Sequence, residues 1–384
     1  MSPWIGTRVS TRLLRSAKRC SNALDSPSVF PRVTATNILH TASSLLQPSA
    51  DAPSGWLVLS AFVGLPIALW AYKCLMLIIF QRKMIYMGYA PPGSRTESLR
   101  DVYPKYTPRG IHIEELTIPS SQPNTVRLST LLLRRDVTSP EHVVVYCQGN
   151  AGNPLHRIPV FATLLDAVPS LAILAPAPRS YWTSSAATPT QAGLTADYAA
   201  ALAFASSFFP TSRLTIYGHS LGASIALCLL SSHQCLQNST ATVHGLVLEN
   251  AFTSVPEMLR ALYPQRWLPY RYLGPFVRDR WDARAAAASQ IFPCGLARRA
   301  MVLVSERDEI VPPAMSREIF NALQASGDTE ESGSVVTGRM RKPMGRFVVV
   351  TGALHEDAWQ CLDWSRAIIK YLEDLRREQT EYPL

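Results

Sequence analysis

The sequence lacks any Cys-x-x-Cys pair, and its seven cysteines are an odd number scattered along the chain. A disulfide framework or a zinc site needs paired or closely spaced cysteines, so neither is expected. No other metal-ligand spacing is present, and we predict neither a metal nor another cofactor. Apolar residues make up 47% of the 384 residues, which is enough to bury a sizeable core.

The chain also lacks a clustered basic surface of the kind that binds nucleic acid. Its formal net charge is +9, but much of that charge lies in residues 1–55. We therefore predict no nucleic-acid partner. Residues 1–55 indicate a basic, disordered arm. Within it, residues 1–22 carry no acidic side chain and resemble a mitochondrial presequence, although a basic tail ahead of a membrane segment is the favoured interpretation.

A long apolar run occupies residues 56–80. Its only charge is Lys73, and its length is sufficient to cross a bilayer. We expect a single-pass membrane anchor rather than a buried core helix, followed by one domain over residues 81–384. Arg82 and Lys83 directly after the run favour an endomembrane with this domain facing the cytosol, whereas the distant basic arm leaves a mitochondrial membrane open.

From residue 111 onward, short apolar runs alternate with helical patterns. Residues 111–118 and 126–133 predict two strands at an antiparallel edge. Later strands are predicted at residues 142–147, 171–175, 245–249, 300–305 and 346–351, and in the run that begins at residue 214. Repeated βα units predict an α/β fold with a mostly parallel, doubly wound, eight-stranded sheet and helices on both faces. Active sites of such sheets lie at the carboxyl ends of the strands.

Two segments interrupt this alternation. Residues 264–284 mix aromatic and basic side chains and fall where a lid would cover the site. Residues 325–345 are polar, charged and rich in glycine and serine, which predicts a disordered surface insertion.

The strongest local motif is the stretch Gly-His-Ser-Leu-Gly at residues 218–222, which joins an apolar run to a helical segment. Gly-x-Ser-x-Gly between a strand and a helix is typical of the nucleophile elbow of α/β-hydrolases. The two glycines remove Cβ atoms that would collide with neighbouring elements. The motif therefore predicts that Ser220 is a nucleophile, against the alternative of an ordinary Gly/Ser turn.

A serine hydroxyl needs a nearby base, and in this fold the chain order is serine, acid, histidine. Three histidines follow Ser220. His233 ends the helix after the elbow and His244 begins a strand, so both lie away from the strand tips. His355 follows the last strand in a loop that begins at Gly352, and we predict that it is the catalytic base.

Two carboxylates are candidates for the acid that orients His355. Asp308 follows the penultimate strand, which is the usual position of the acid, and we favour it. Glu249 also follows a strand that ends at the site. We expect Glu249 to be a structural carboxylate bound by loop amides, but it stays an alternative.

Acyl transfer also needs two donors for the oxyanion. The backbone amide of Leu221, next to the nucleophile, is the first candidate. The loop at residues 148–153, Gln-Gly-Asn-Ala-Gly-Asn, follows the third strand and lets the backbone approach the substrate. We predict that the amide of Asn150 is the second donor.

With these residues assembled, residues 80–375 resemble the membrane-anchored α/β-hydrolase-domain serine hydrolases of the Bem type, which are related to the protein-depalmitoylating thioesterases. The resemblance rests on residues 81–86, 91–95, 149–153, 218–222, 249–252, Asp308 with Pro312 and Pro313, and residues 355–359. It implies a single-pass anchor and the triad Ser220, Asp308 and His355. The chain departs from the family pattern at Gln148, where histidine is usual, at residues 176–182, and at Glu356.

We therefore expect a membrane-anchored serine hydrolase that cleaves an acyl ester or thioester of a lipid or lipidated protein through an acyl-enzyme. Serine in the elbow, rather than aspartate, argues against epoxide hydrolysis and dehalogenation. A catalytically weak membrane scaffold and an amidase or peptidase with the same triad are the alternatives. The expected partners are the substrate and the membrane, and no particular oligomeric state is predicted.

Overall fold

The computed structural model describes residues 54–106, 110–120, 126–135, 139–232, 243–328 and 345–381. Nearly all of the predicted arm, most of the predicted insertion and His233 lie outside the described residues. Contacts within the chain divide it into two units, Met1–Leu65 and Pro66–Leu384. Within the first unit, the described part is the beginning of one helix.

That helix, α1, spans Gly55–Ile79 and coincides with the apolar run. It is long and apolar enough to cross a membrane by its length and composition. None of its residues is buried, whereas a helix in a protein core would have many buried residues. The chain changes direction at Phe80, and the short helix α2 follows at Gln81–Ile85.

The domain is built on one eight-stranded sheet with the order β1-β2-β4-β3-β5-β6-β7-β8. The strands are β1 His112–Ser120, β2 Val126–Arg134, β3 His142–Cys147, β4 Leu171–Pro176, β5 Arg213–His219, β6 Val243–Glu249, β7 Met301–Ser305 and β8 Arg346–Val350. Strand β2 pairs antiparallel with β1 and β4, and all other neighbouring pairs are parallel. The predicted sheet, including its antiparallel edge, is confirmed.

Burial explains why the central strands are continuous apolar runs. Every residue of β3, β4 and β7 is buried, as expected for parallel strands that are covered on both faces. Further helices are α3 Leu99–Tyr106, α4 Ile158–Ala167, α5 Gln191–Phe208, α6 Leu221–Leu230, α7 Val255–Leu262, α8 Ala283–Ala287, α9 Cys294–Arg299, α10 Pro313–Asp328 and α11 Leu362–Glu381, with 3-10 turns at Pro154–Arg157, Pro269–Tyr272, Gly274–Phe276 and Ala358–Gln360. Helices α4 and α11 pack together, while α5, α6, α8 and α10 form a second group.

The first residues of the predicted insertion are helical. Helix α10 continues through Asp328, so residues 325–328 are helical and not part of a disordered segment. Ser326 Oγ donates to the carbonyl of Ala287 at 2.7 Å, and Arg298 Nε donates to the carbonyl of Gly327 at 2.5 Å. These tertiary hydrogen bonds hold a turn whose Gly and Ser residues have a low helix propensity on their own.

Candidate active site

Ser220 lies between β5 and α6 in a strained backbone conformation. Its φ and ψ are 54° and −118°, a region that residues other than glycine rarely occupy. The Ser220 amide donates to the carbonyl of Glu249 at 2.8 Å, which fixes the turn to the end of β6. Such a turn presents the serine hydroxyl at the carboxyl end of the sheet.

The glycines at positions 218 and 222 are required by close backbone packing. A Cβ on Gly222 would lie 1.9 Å from the carbonyl oxygen of Cys147 in β3. A Cβ on Gly218 would lie 2.5 Å from the backbone of Ala223. The glycines therefore allow α6 to start directly against β3 and β5, and this start determines where Ser220 lies.

The structure brings Asp308 and His355 together across 47 residues of sequence. His355 Nδ1 lies 2.7 Å from Asp308 Oδ2, and both side chains are almost completely buried. The second oxygen, Asp308 Oδ1, accepts hydrogen bonds from the amides of Ile310 at 2.8 Å and Val311 at 2.7 Å. Three hydrogen bonds thus orient the carboxylate toward the histidine.

The backbone of His355 is also held in place. Its amide donates to Glu309 Oε2 at 3.0 Å, and its carbonyl accepts from Asn250 Nδ2 at 3.0 Å. Asn250 in turn accepts from the amide of Ser305 at 2.8 Å and has a left-handed φ of 50°. Loops after β6, β7 and β8 therefore cooperate to position this imidazole.

Glu249, the alternative acid, has a different partner from the one expected. Its side chain accepts a hydrogen bond from the hydroxyl of Tyr217, and not from loop amides. Glu249 is only 6% exposed, and burial raises the pKa of its carboxyl group despite the hydrogen bond from Tyr217. It is a buried carboxyl group paired with the neighbouring strand.

The two predicted oxyanion donors lie with Ser220 on the wall of one pocket. Leu221 is the first residue of α6, so its amide has no acceptor within the helix. The carbonyl of Asn150 accepts from the amide of Met87 at 2.6 Å and from the hydroxyl of Tyr181 at 2.9 Å. These two bonds fix the peptide between Asn150 and Ala151, directly after the peptide that carries the Asn150 amide.

A hydrogen-bond network that was not predicted from the sequence contacts the backbone of His355. His219 is buried, and its Nε2 lies 3.0 Å from the carbonyl oxygen of His355. Arg157 Nη2 lies 3.3 Å from His219 Nδ1 and donates to Glu356 Oε2 at 2.5 Å. Burial, reinforced by the charge of Arg157, lowers the pKa of His219 to about 3. His219 is therefore neutral at physiological pH.

The nitrogen and oxygen atoms of His219, His355 and Glu356 lie close enough to one another to meet at a metal ion. Their existing contacts favour a hydrogen-bond network instead. His355 Nδ1 is bound to Asp308, and the Arg157 guanidinium faces both His219 and Glu356. A cation at this point would meet a positive charge.

The pocket that contains Ser220 is mainly apolar and encloses about 240 Å³. Its wall includes side chains from α1, α2, the β6 loop, α7 and the 3-10 turn that follows α7, among them Leu77, Ile78, Met84, Phe252, Met258 and Phe276. The contribution of α1 was not predicted, because residues 56–80 were assigned only to the anchor.

The predicted lid at residues 264–284 is only partly an exposed cover. Trp267 is 68% exposed. Trp281 is completely buried, and its Nε1 donates to the hydroxyl of Tyr86 at 2.9 Å. The end of this segment therefore belongs to the core.

The loop that departs from the family pattern at residues 176–182 is firmly fixed. Arg179 forms a buried ion pair with Asp197 of α5 at 2.7 Å. Ser180 and Trp182 have left-handed φ values of 65° and 42°, which favour glycine. The loop also supplies Tyr181, which binds the carbonyl of Asn150, so the altered sequence still supports the predicted oxyanion loop.

The chain is similar to several curated proteins, of which three are described here, whereas no family model matches it. It is 25% identical over 323 residues to the α/β hydrolase domain-containing protein WAV2 of Arabidopsis thaliana, covering 79% of this chain and 92% of WAV2. It is 26% identical over 245 residues to protein bem46 of Schizosaccharomyces pombe, covering 63% and 74%. It is 25% identical over 276 residues to the uncharacterized membrane protein YNL320W of Saccharomyces cerevisiae, covering 71% and 87%.

Among solved structures, the esterase Pf2001 of Pyrococcus furiosus matches with a TM-score of 0.51 at 16% identity, covering 73% of this chain and 94% of the esterase. At this identity the likeness concerns the fold. The chain has the α/β-hydrolase fold and is similar to the α/β hydrolase domain-containing protein WAV2 and to bem46.

Proposed function

We propose that this protein is a serine hydrolase that cleaves acyl esters or thioesters through an acyl-enzyme. Two observations carry the proposal: the buried Asp308–His355 pair, at 2.7 Å, and the strained turn at Ser220, with φ 54°, both after carboxyl ends of strands of the same sheet. Buried histidine–carboxylate pairs at strand tips next to such a serine are the arrangement used for nucleophilic acyl transfer.

In the proposed reaction, Ser220 Oγ attacks the acyl carbon while His355 Nε2 takes the hydroxyl proton. Asp308 accepts the hydrogen bond from His355 Nδ1–H and stabilises the imidazolium that forms. The amides of Leu221 and Asn150 donate to the oxyanion, which is stabilised where charge develops. His355 then protonates the leaving group, and water releases the acyl group from Ser220 by the reverse proton path.

The apolar wall of the pocket supports a substrate with a hydrocarbon acyl group. Such a group loses contact with water when it enters, which contributes about 0.8 kcal/mol for each buried methylene. Together with the apolar helix α1, this supports an ester or thioester of a lipid or a lipidated protein. The same triad can cleave amides, so substrate assays include them.

We also propose that α1 anchors the protein in a membrane as a single pass, with the hydrolase domain on the cytosolic side of an endomembrane. Support comes from the length and composition of α1 and from the similarity to the membrane protein YNL320W. Arg82 and Lys83 follow the helix as the positive-inside rule requires. A mitochondrial membrane is the alternative, and protease protection of the intact organelles separates the two.

The proposal is tested by assaying the detergent-solubilised full chain with p-nitrophenyl esters, thioesters and anilides of increasing acyl length. We expect hydrolysis of esters or thioesters that is lost in Ser220→Ala. Wild-type protein that is folded but cleaves none of these substrates would favour the scaffold alternative. Activity that survives in Ser220→Ala would assign the reaction to another residue or to a contaminant.

A further inference from the structure

The final turn of the apolar helix α1 forms part of the wall of the Ser220 pocket. Leu77 and Ile78, the last apolar residues before the helix ends at Ile79, line the same cavity as Ser220 and Leu221. A helix that served only as a tether would need no contact with the site. The membrane segment and the nucleophile instead share one cavity.

This wall is fixed to the opposite side of the pocket by polar contacts. Gln81 is 9% exposed, and its Nε2 donates to the carbonyl of Phe276 at 3.2 Å. Gln81 Oε1 accepts from the amide of Arg278 at 2.7 Å, and Arg82 Nε donates to Asp279 Oδ2 at 2.8 Å. Two side chains at the start of α2, directly after α1, therefore hold residues 276–279 in place, and Phe276 is itself part of the pocket wall.

Contacts of aromatic rings place residues 267–270, which follow α7, beside a part of α1 that lies closer to the middle of the helix than Leu77. The rings of Trp70 and Trp267 lie 5.9 Å apart, and Lys73 Nζ lies 4.4 Å from the ring centre of Tyr270. Trp70 precedes Leu77 by seven residues, which is about 10 Å along the helix axis. Trp267, 68% exposed, thus lies level with the apolar part of α1 and not with the polar domain surface.

We infer that the acyl chain of the substrate enters the Ser220 pocket from the bilayer, with Leu77 and Ile78 of the anchor as one wall of the acyl-binding site. The occupant is the fatty acyl chain of an ester that itself resides in the membrane. Leu262 and Phe276, 59% and 57% exposed, continue the apolar surface from the helix toward the pocket. This inference rests on the proposed serine hydrolase activity and adds the binding site and its route of access.

The test uses the full chain in phospholipid nanodiscs and an alkyl fluorophosphonate that carries a photoactivatable diazirine in its long chain. The fluorophosphonate reacts with the nucleophilic serine, and photolysis of the diazirine then crosslinks the alkyl chain to the residues next to it. Trypsin cleaves after Lys73 and Arg82, so the end of α1 is recovered as the peptide of residues 74–82. We expect attachment to this peptide in protein that is labelled at Ser220.

A matched pair of variants gives a second readout with 4-methylumbelliferyl butyrate and palmitate in the same nanodiscs. Ile78→Trp fills the pocket wall, and we expect the palmitate-to-butyrate ratio of kcat/KM to fall about tenfold or more, which corresponds to about 1.4 kcal/mol. Leu75→Trp adds the same side chain at a residue of the same helix that is 51% exposed and does not line the pocket. This control should change the ratio less than about twofold, because added bulk outside the pocket does not compete with the acyl chain.

The outcomes separate the inference from the proposed function. Labelling at Ser220 without attachment to residues 74–82 would overturn the inference and leave the hydrolase proposal intact. An unchanged ratio in labelled Ile78→Trp would do the same. Folded wild-type protein that is not labelled at Ser220 would overturn both. If Ile78→Trp does not fold, the photo-attachment in the wild type decides.

Discussion

Replacing Asp308 by asparagine separates the two candidate acids most sharply. Asp308 Oδ1 accepts hydrogen bonds from the amides of Ile310 and Val311, at 2.8 and 2.7 Å. In Asp308→Asn only the carbonyl oxygen can serve these two donors, so the NH₂ group must face His355 Nδ1. It then selects the imidazole tautomer that carries its proton on Nε2, and this nitrogen can no longer accept the Ser220 proton.

The wrong tautomer removes the base without disturbing the fold. In a triad of this kind the loss is about 10⁴-fold in kcat, or about 5 kcal/mol of transition-state stabilisation. The matched control is Glu249→Gln, which keeps an oxygen to accept the hydroxyl of Tyr217. We expect it to retain kcat/KM within about threefold, since its hydrogen bond is conserved.

The assay is steady-state hydrolysis of a short p-nitrophenyl ester by both variants, with the melting temperature as a check on folding. Folded Asp308→Asn that loses less than about tenfold would refute the tautomer argument. A large loss in Glu249→Gln with little loss in Asp308→Asn would transfer the role of the acid to Glu249.

Three further predictions concern the oxyanion loop, the elbow and pH. Asn150→Pro removes the amide donor and should lower kcat about 10²–10³-fold. Asn150→Ala keeps the amide and should remain active. Equal kcat values for the two variants would show that the Asn150 amide is not an oxyanion donor. Gly222→Ala puts a Cβ 1.9 Å from the Cys147 carbonyl oxygen, and chemical denaturation should show a loss of about 3 kcal/mol in the free energy of unfolding. Gly274→Ala is the control and should not show this loss, because its Cβ would meet its nearest atom at 3.5 Å. Burial lowers the pKa of His142 to about 4, below the 6.5 of an exposed histidine, so its contribution to stability is present above pH 6.5 and is lost as the pH falls toward 4. At pH 5 the loss is about 2 kcal/mol, and melting temperatures should depend less on pH in His142→Gln; an unchanged dependence would contradict this.

The fold was predictable because its signals are local. Gly-His-Ser-Leu-Gly between an apolar run and a helical run is a short-range pattern, and the close contact of Gly222 with Cys147 explains why no other residue serves there. The chain order of the α/β-hydrolase fold then led to Asp308 and His355, which the structure places 2.7 Å apart. Their catalytic roles, like that of Ser220, stay predictions.

The parts that were missed depend on contacts between distant segments. Arg157 and Glu356 are 199 residues apart in sequence, and no local pattern marks either as a neighbour of His219. Leu77 and Ile78 are apolar residues at the end of an apolar run, so composition alone assigns them to lipid. Trp281 lies in the segment predicted as a lid, and the sequence does not show that Tyr86 accepts its indole hydrogen bond.

The most direct test of the central claim is to map the covalent adduct of a fluorophosphonate on the full-length protein by mass spectrometry. The account predicts a single major adduct on Ser220 that is absent from Ser220→Ala. It also predicts that Ser224→Ala, which changes the next serine along α6, still forms the adduct, because Ser224 Oγ donates to the carbonyl of Phe252 and is buried. An adduct that persists in Ser220→Ala, or a folded wild type that forms none, would contradict the assignment of Ser220 as the nucleophile.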